Sequence, residues 1–366
     1  MERTINGYTY TIDSSWVDSL SEDEKKMLTT GLDLSNIETQ DKINASNPQK
    51  LSRSFNANYD DEVDWRNRNG KICVTPVKNQ APLNSCVSFA TCALLESMNI
   101  IEHDASLDLS EADLFLCGSH GPYDYGWWIN LAAEEVIRRG VTLESLFPYA
   151  SGYTPSLHCS IDPSRNNNSY TIDNYTILYS MEEQKTWLTN IGPLMAHMYT
   201  DQYFSSYHSG VYFTNEGSGP SHVIEIIGYS ESGQYWICKN SWSTGFGMDG
   251  YFYMGYGSAY TESWYKLGVQ GIKKWTPVPL FLNQEYFNAY EYAYNYHNFI
   301  NVYSDSSWHA TTDANWLTIT TSGNITNFSL DISINANTSP CPKLALITVS
   351  NSTDEKTLLI KQRPAI

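Results

Sequence analysis

A chain of 366 residues exceeds one average domain, so two or more are expected, and an apolar fraction of 41% is enough to build their cores. A formal net charge of −18, with only 22 Lys plus Arg, argues against nucleic acid or anionic lipid as a partner, because phosphate binding needs clustered positive charge. No apolar run approaches the length that spans a bilayer. Seven cysteines leave at least one thiol free or paired outside the chain.

Residues 1–60 are polar. MERTINGYTYTI has no apolar signal-peptide core, so the protein is either cytosolic or has lost a leader ahead of Met1. Ser14–Leu28 is the one helix-like stretch, with Ser21 as N-cap and Glu22, Asp23 and Glu24 in the first turn. Asp41–Asp61 is rich in Asn, Ser and Asp and reads as a linker or extended segment. From about residue 62 to 272 helix and strand signals mix. SCVSFATCALLESMNII has apolar residues at helical spacing, and INLAAEEVIRRG reads as a helix closed by Gly140. HVIEIIGY and QYWICKNSW follow as strands, so helices precede strands, which is an α+β order. After Trp275–Phe281 only short strand-like runs remain (FINVYS, WLTIT, FSLDISI, LALITVS, TLLIKQ), separated by Asn, Ser, Asp and Pro clusters. They argue for a small all-β sandwich.

Cys86 stands where the turn Ala81–Asn84 gives way to the first long helix. A thiol at a helix N-terminus is a candidate nucleophile, but free cysteines are among the most often buried residues, and by itself Cys86 reads as core. Its surroundings reverse that reading. DWRNRNGKICVTPVKNQAPLNSC resembles the start of the mature papain-like cysteine proteases, whose nucleophile follows a glutamine by six residues, as Cys86 follows Gln80. Downstream, GPSHVIEIIGY and YWICKNSWSTGFGMDGYFYM resemble the segments that hold the family's histidine and asparagine.

The resemblance implies a two-lobed α+β catalytic domain, a helical lobe beside a β-barrel-like lobe, over residues 61–274. Cys86 would be the nucleophile, His222 its proton partner, Asn240 the group that orients the imidazole, and Trp242 the shield of that bond. Gln80 would donate to the oxyanion beside the backbone N–H of Cys86. Gly126 would pair with the substrate backbone. Trp127, Trp128, Ser221 and Leu194 would border an apolar subsite for the residue preceding the scissile one, P2. His120, His197 and His208 match no catalytic position and read as surface or structural.

Departures are local. Leu83 and Val87 replace the family's cysteine and aromatic beside the nucleophile, and YDYGWW replaces the segment carrying that cysteine's partner. A second family pair is kept, which implies a Cys117–Cys159 disulfide and an oxidising compartment. Residues 1–60 show no signature of a family proregion. They are read as a short pro-segment removed near Asn56–Glu62, with a permanent arm as the alternative.

Residues 277–366 resemble a BACON-type immunoglobulin-like module through Trp308, Trp316-Leu317, Gly323, Asn335…Asn337 and Gln362. That resemblance implies a spacer, or a carbohydrate- or mucin-binding role, with both tryptophans also readable as core. The expectation is therefore a monomeric thiol endopeptidase acting on protein or peptide without cofactor or metal, at a secreted, periplasmic or cell-surface site, or in the cytoplasm if Met1 is the native start. A catalytically silent peptide- or glycan-binding protein on the same fold, and a transpeptidase or ligase, are the alternatives.

Overall fold

The polar N-terminus begins with two strands, for which its composition gave no expectation. In the computed structural model the described residues are 1–29, 59–118, 127–149, 164–217, 219–276, 280–282, 286–289, 291–296, 301–304, 307–321, 328–351 and 353–365. Strands β1 (Glu2–Ile5) and β2 (Tyr8–Ile12) form a hairpin across Asn6-Gly7, both at positive φ (52° and 83°). An Asn-Gly pair meets that demand at little steric cost and matches the twist of the strands it joins. The helix-like stretch follows as two short helices, α1 (Ser15–Asp18) and α2 (Glu22–Thr29). Ser21 caps the second: the Glu24 amide donates to its Oγ, and its own amide donates to the Glu24 carboxylate.

After β3 (Glu62–Asp64) the chain enters α3 (Cys86–His103), eighteen residues long and buried through most of its length. Helix α4 (Ile129–Arg139) ends at Gly140, whose φ of 66° allows the chain to leave the helix. Then come β4 (Val141–Thr142), β5 (Ser169–Thr171) and β6 (Asn174–Leu178). Helix α5 (Met181–Asn190), opened by a Ser180/Glu183 capping box, has no counterpart among the sequence expectations. The remaining strands of this part are β7 (Leu194–Met198), β8 (Tyr207–Tyr212), β9 (His222–Ser230), β10 (Tyr235–Lys239), β11 (Tyr251–Gly255), β12 (Lys266–Gln270) and β13 (Lys273–Lys274).

One large sheet runs β1-β2-β8-β11-β10-β9-β7-β12-β6, with β3 also on β9, while β13-β5-β4 form a smaller one. Every residue of β9 is buried because both faces of the sheet are covered there. Ile224 and Ile226 enter a core with Trp187, Trp236, Trp242 and Phe252, whereas Val223 enters a second core with Cys86, Leu94, Trp127 and Val136. A continuous apolar run is the pattern such a strand requires. His222 begins the strand, and the backbone N–H of the next residue, Val223, meets Cys86 at the start of α3.

The chain divides into two compact units, Met1–Ser160 with Asn168–Lys274, and Ile161–Asn167 with Trp275–Ile366. The second contains β14 (Leu280–Leu282), β15 (Tyr286–Ala289), β16 (Tyr294–Tyr296), β17 (Asn301–Ser304), β18 (His309–Thr312), β19 (Leu317–Thr321), β20 (Phe328–Ile334), β21 (Lys343–Ser350) and β22 (Glu355–Gln362). The orders are β14-β17-β20-β16, with β19 on β20, and β15-β22-β21-β18. Both sheets contribute to one apolar core, Leu330, Ile332 and Ile334 from β20 meeting Ile347, Val349, Leu358 and Ile360 from β21 and β22. Burial alternates along β21 and β22 and gives one buried face, although Leu344 and Leu346 of β21 point outward, 62% and 52% exposed. Among the described residues after Trp275 there is no helix, and among all described residues no helix is long and apolar enough to cross a membrane.

Candidate active site

Cys86 is the first residue of α3, almost fully buried. Burial pushes its thiol up to about 12, opposed by the backbone N–H groups of Val223, Val87 and Cys86 itself. The last two belong to the helix N-terminus, whose free amides favour negative charge. The first belongs to the residue after His222, so the sulfur lies against the start of β9.

His222 is buried as well, and its Nε2 lies 2.8 Å from Asn240 Oδ1. That oxygen also accepts the Ser241 backbone N–H at 2.8 Å, which identifies it as the carbonyl end of the amide. Nε2 therefore carries the proton and donates, leaving Nδ1 as the free base. Asn240 is anchored by its backbone N–H, which donates to Gly250 O at 3.0 Å. Burial pulls the imidazole down to about 4, and the bond to Asn240 works against that shift. Trp242 packs on His222 with centroids 4.8 Å apart, and Phe204 packs on Trp242 at 5.3 Å. Burial thus holds both members of the pair neutral when each is taken alone.

Gln80 is fixed at both ends of its amide. Ser241 Oγ donates to its Oε1 at 2.6 Å, and its Nε2 donates to Leu83 O at 3.1 Å, which uses one of two N–H groups. Its backbone N–H donates to Ser241 O at 2.8 Å, and Tyr149 Oη donates to its carbonyl at 2.5 Å. Upstream, the Lys78 ammonium lies 3.0 Å from Glu96, 2.7 Å from Asp108 and 2.9 Å from Glu111. Burial opposes its charge, but Glu111 and Glu96 outweigh burial and the ammonium is raised. Burial raises Glu111 to about 8 in turn, with Lys78 pulling the other way. The loop from Lys78 to Leu83 is thereby tied to α3 at one end and to the Asn240-Ser241 turn at the other.

The proposed subsite residues separate. Trp127 is buried in the same cluster as Cys86 and Val223, and Trp128 is buried beside it. Ser221 Oγ accepts the Thr200 amide at 2.8 Å and so fastens the turn before His222 to the end of β7. Leu194 is fully buried in the other core with Ile224 and Ile226, so it does not join Trp127 and Trp128.

The β7 residue that meets this aromatic group is His197, which matches no catalytic position and reads from sequence as surface or structural; it is fully buried. Its ring lies 5.2 Å from Trp128, 5.9 Å from Trp264 and 5.9 Å from Tyr265, and it pairs in register with Val223. Neither of its ring nitrogens has a partner among the described residues. Burial, aided by the Lys266 charge, takes it down to about 3. A histidine in a run of buried strand residues carried no signal beyond its odd polarity. Cys117 is disulfide-bonded, while Cys73, Cys86, Cys92, Cys238 and Cys341 are free. Gly126 and Cys159 lie outside the described residues. Among the described residues no cluster of three or more His, Cys, Asp or Glu could hold a metal ion.

Known proteins are similar to this chain in sequence and fold. A viral cathepsin of Epiphyas postvittana nucleopolyhedrovirus is 32% identical over 194 residues, covering 52% of this chain and 58% of its own length. Fruit bromelain of Ananas comosus is 31% identical over 224 residues, covering 57% of this chain and 61% of its own. The chain thus spans less than two thirds of these relatives. Among solved structures, procathepsin L2 proteinase from the larval midgut of Tenebrio molitor aligns with a TM-score of 0.57 at 26% identity, covering 71% of this chain and 84% of that one. Bromelain protease from Ananas comosus, solved with the E64 inhibitor, aligns at 0.50 and 28% identity, covering 58% of this chain and 99% of that one. The papain family cysteine protease profile matches residues 59–268, more than half of the sequence, and with the fold described above it shows that the chain belongs to the papain family of cysteine proteases.

Proposed function

We propose that the protein is a thiol endopeptidase in which Cys86 attacks the scissile carbonyl and His222 carries the proton. The observation that carries this reading is the 2.8 Å bond from His222 Nε2 to Asn240 Oδ1, which leaves Nδ1 as the base on the residue before Val223, whose backbone N–H meets the Cys86 thiol. Nδ1 takes the thiol proton as the sulfur–carbon bond forms. The carbonyl electrons move to oxygen, which receives the second Gln80 Nε2–H and the Cys86 backbone N–H. When the tetrahedral species collapses, the peptide C–N bond breaks and the proton on Nδ1 passes to the leaving amine. Water activated by Nδ1 then opens the thioester, and the proton returns to sulfur. Trp127, Trp128 and Ser221 border the subsite for P2, which takes apolar side chains.

The test is labelling with an epoxysuccinyl thiol reagent followed by peptide mapping. One adduct on Cys86, lost in Cys86→Ala, is expected. Label spread over Cys73, Cys92, Cys238 and Cys341 as well, or absent from Cys86, would undo the assignment.

We further read residues 277–366 as a BACON-type immunoglobulin-like sandwich serving as a spacer. Trp308 and Trp316 pack against its apolar core, which supports a structural use of both rings over sugar stacking. Binding of the isolated 277–366 fragment on a glycan or mucin array would overturn the spacer reading. The bonded Cys117 supports an oxidising, extracytoplasmic location.

A further inference from the structure

The loop from Gln80 to Cys86 carries both groups read as oxyanion donors, the Gln80 side chain at one end and the Cys86 backbone N–H at the other. No covalent tie holds it, since its one cysteine, Cys86, is free. Within it the Leu83 backbone N–H donates to Gln80 O at 3.1 Å and closes a tight turn. The Leu83 side chain packs into a small apolar cluster with Ala112, Phe115, Leu116 and Phe147.

Tyr149 reaches both ends of this loop. Its Oη donates to Gln80 O at 2.5 Å and lies 2.8 Å from Ser85 Oγ, on the residue before Cys86. A phenol has one proton, and this one points at a carbonyl that can only accept, so Ser85 Oγ donates to Tyr149 Oη. The result is a directed relay from Ser85 to Tyr149 to Gln80. Gln80 and Ser85 are 2% and 0% exposed, so neither end has solvent to turn to. Ser85 is also the N-cap residue of α3, where a serine hydroxyl ordinarily accepts a first-turn amide, yet it makes no side-chain cap bond. Its hydroxyl is directed to Tyr149 instead. The tyrosine is held in turn. Phe89 meets its ring edge-on at 4.8 Å, and its backbone N–H donates to Glu144 Oε1 at 2.7 Å. Burial raises its hydroxyl above the ordinary tyrosine range, against the bond from Ser85, so it stays protonated.

We propose that Tyr149 is a positioning residue that sets the spacing of the two oxyanion donors, gripping the carbonyl of Gln80 and the residue before Cys86 with one hydroxyl. The proposal rests on the reading of Gln80 and Cys86 as those donors. Without that hydroxyl the ends of the loop can part, and a displaced donor no longer meets the charge as it develops.

The test, on the full chain, separates oxyanion placement from thiol reactivity. A peptide aldehyde adds the Cys86 thiol across its carbonyl. The sulfur–carbon bond forms, the thiol proton ends on the former carbonyl oxygen, and that oxygen takes the oxyanion position. Iodoacetamide alkylates the same sulfur with loss of iodide and builds no oxyanion. Tyr149→Phe keeps the ring against Phe89. It is expected to lower kcat for a fluorogenic peptide about tenfold with KM little changed, and to weaken aldehyde binding by a similar factor, the scale of one buried hydrogen bond. Its rate of alkylation at Cys86 is expected to stay at the wild-type level. Ser85→Ala leaves the Tyr149–Gln80 bond in place and is expected to show the same split at about threefold. It decides the question if Tyr149→Phe does not fold. Unchanged aldehyde binding, or alkylation that falls as far as turnover, would overturn the role of Tyr149. Gln80→Ala is the reference, and aldehyde binding unaffected there would remove the oxyanion reading beneath the proposal.

Discussion

Two histidines on neighbouring strands, His222 at the start of β9 and His197 within β7, share deep burial and an aromatic setting but little else. His222 has Asn240 on one nitrogen and Trp242 packed on its ring, and the next residue, Val223, turns its backbone N–H to the Cys86 thiol. His197 has only Trp128, Trp264 and Tyr265 around it and no partner on either nitrogen. Burial lowers both, to about 4 and about 3. Burial alone yields a neutral ring of no consequence for proton transfer. In the proposed mechanism, the acceptor that fixes the tautomer and the thiol at the start of α3 are what turn the same kind of ring into a base.

The contrast breaks first if His222 and Cys86 prove dispensable. Cys86→Ala and His222→Ala are each expected to lower turnover of a fluorogenic peptide by roughly three orders of magnitude or more, since the two act as a unit. His197→Phe is expected to retain most of the turnover, and a comparable loss there would erase the distinction. Next in size, Gln80→Ala removes an oxyanion donor and Asn240→Ala the tautomer-fixing acceptor. Each is expected to cost on the order of a hundredfold in kcat with KM little changed.

A pH titration of stability sharpens the comparison from the other side. The folded-state value of His197, about 3, lies below its ordinary 6.5, so the unfolded chain takes up that proton first as the pH falls. The stability held by the neutral ring is complete above about pH 6.5 and lost as the pH drops toward the folded value. Relative to His197→Phe, wild type is expected to lose about 1.4 kcal/mol per pH unit between about pH 6 and pH 4, read from urea unfolding. His222 is common to both proteins and cancels. Parallel stability curves would mean that His197 is hydrated or charged in the fold. The smallest effect is on selectivity. Trp128→Ala is expected to relax the apolar P2 preference by roughly tenfold in a peptide library, and a wild type favouring Arg or Asp at P2 would remove Trp128 from that subsite.

Helix α3, helix α4 closed by Gly140, the two strands β9 and β10 and the all-β character after Trp275 were legible because each has an unbroken apolar period. The Gln80, Cys86, His222 and Asn240 set was legible only through resemblance, since each alone has a more ordinary reading. Leu194 was misjudged for a geometric reason: in a strand buried on both sides, apolarity does not reveal which face a residue takes. His197, three positions on, occupies the other face. The hairpin went unread although Asn6-Gly7 is a strong turn signal, because the strands beside it are polar and their partner β8 lies some two hundred residues away. Tyr149 could not have been found from sequence, as its meaning lies wholly in two hydrogen bonds to residues more than sixty positions away.

The knot at Lys78 has a consequence for the solvent conditions under which the site holds together. Two of its three carboxylates, Glu96 and Glu111, have side chains only 1% and 2% exposed, whereas Glu22 and Asp60 in the pairs Lys25–Glu22 and Arg68–Asp60 are 87% and 52% exposed. In molar salt the screening length falls to about 3 Å, which weakens exposed pairs far more than pairs with buried carboxylates. The loop that presents Gln80 is therefore expected to keep its place in brine through Glu96 and Glu111, while the contact of Lys78 with Asp108, 68% exposed, is screened.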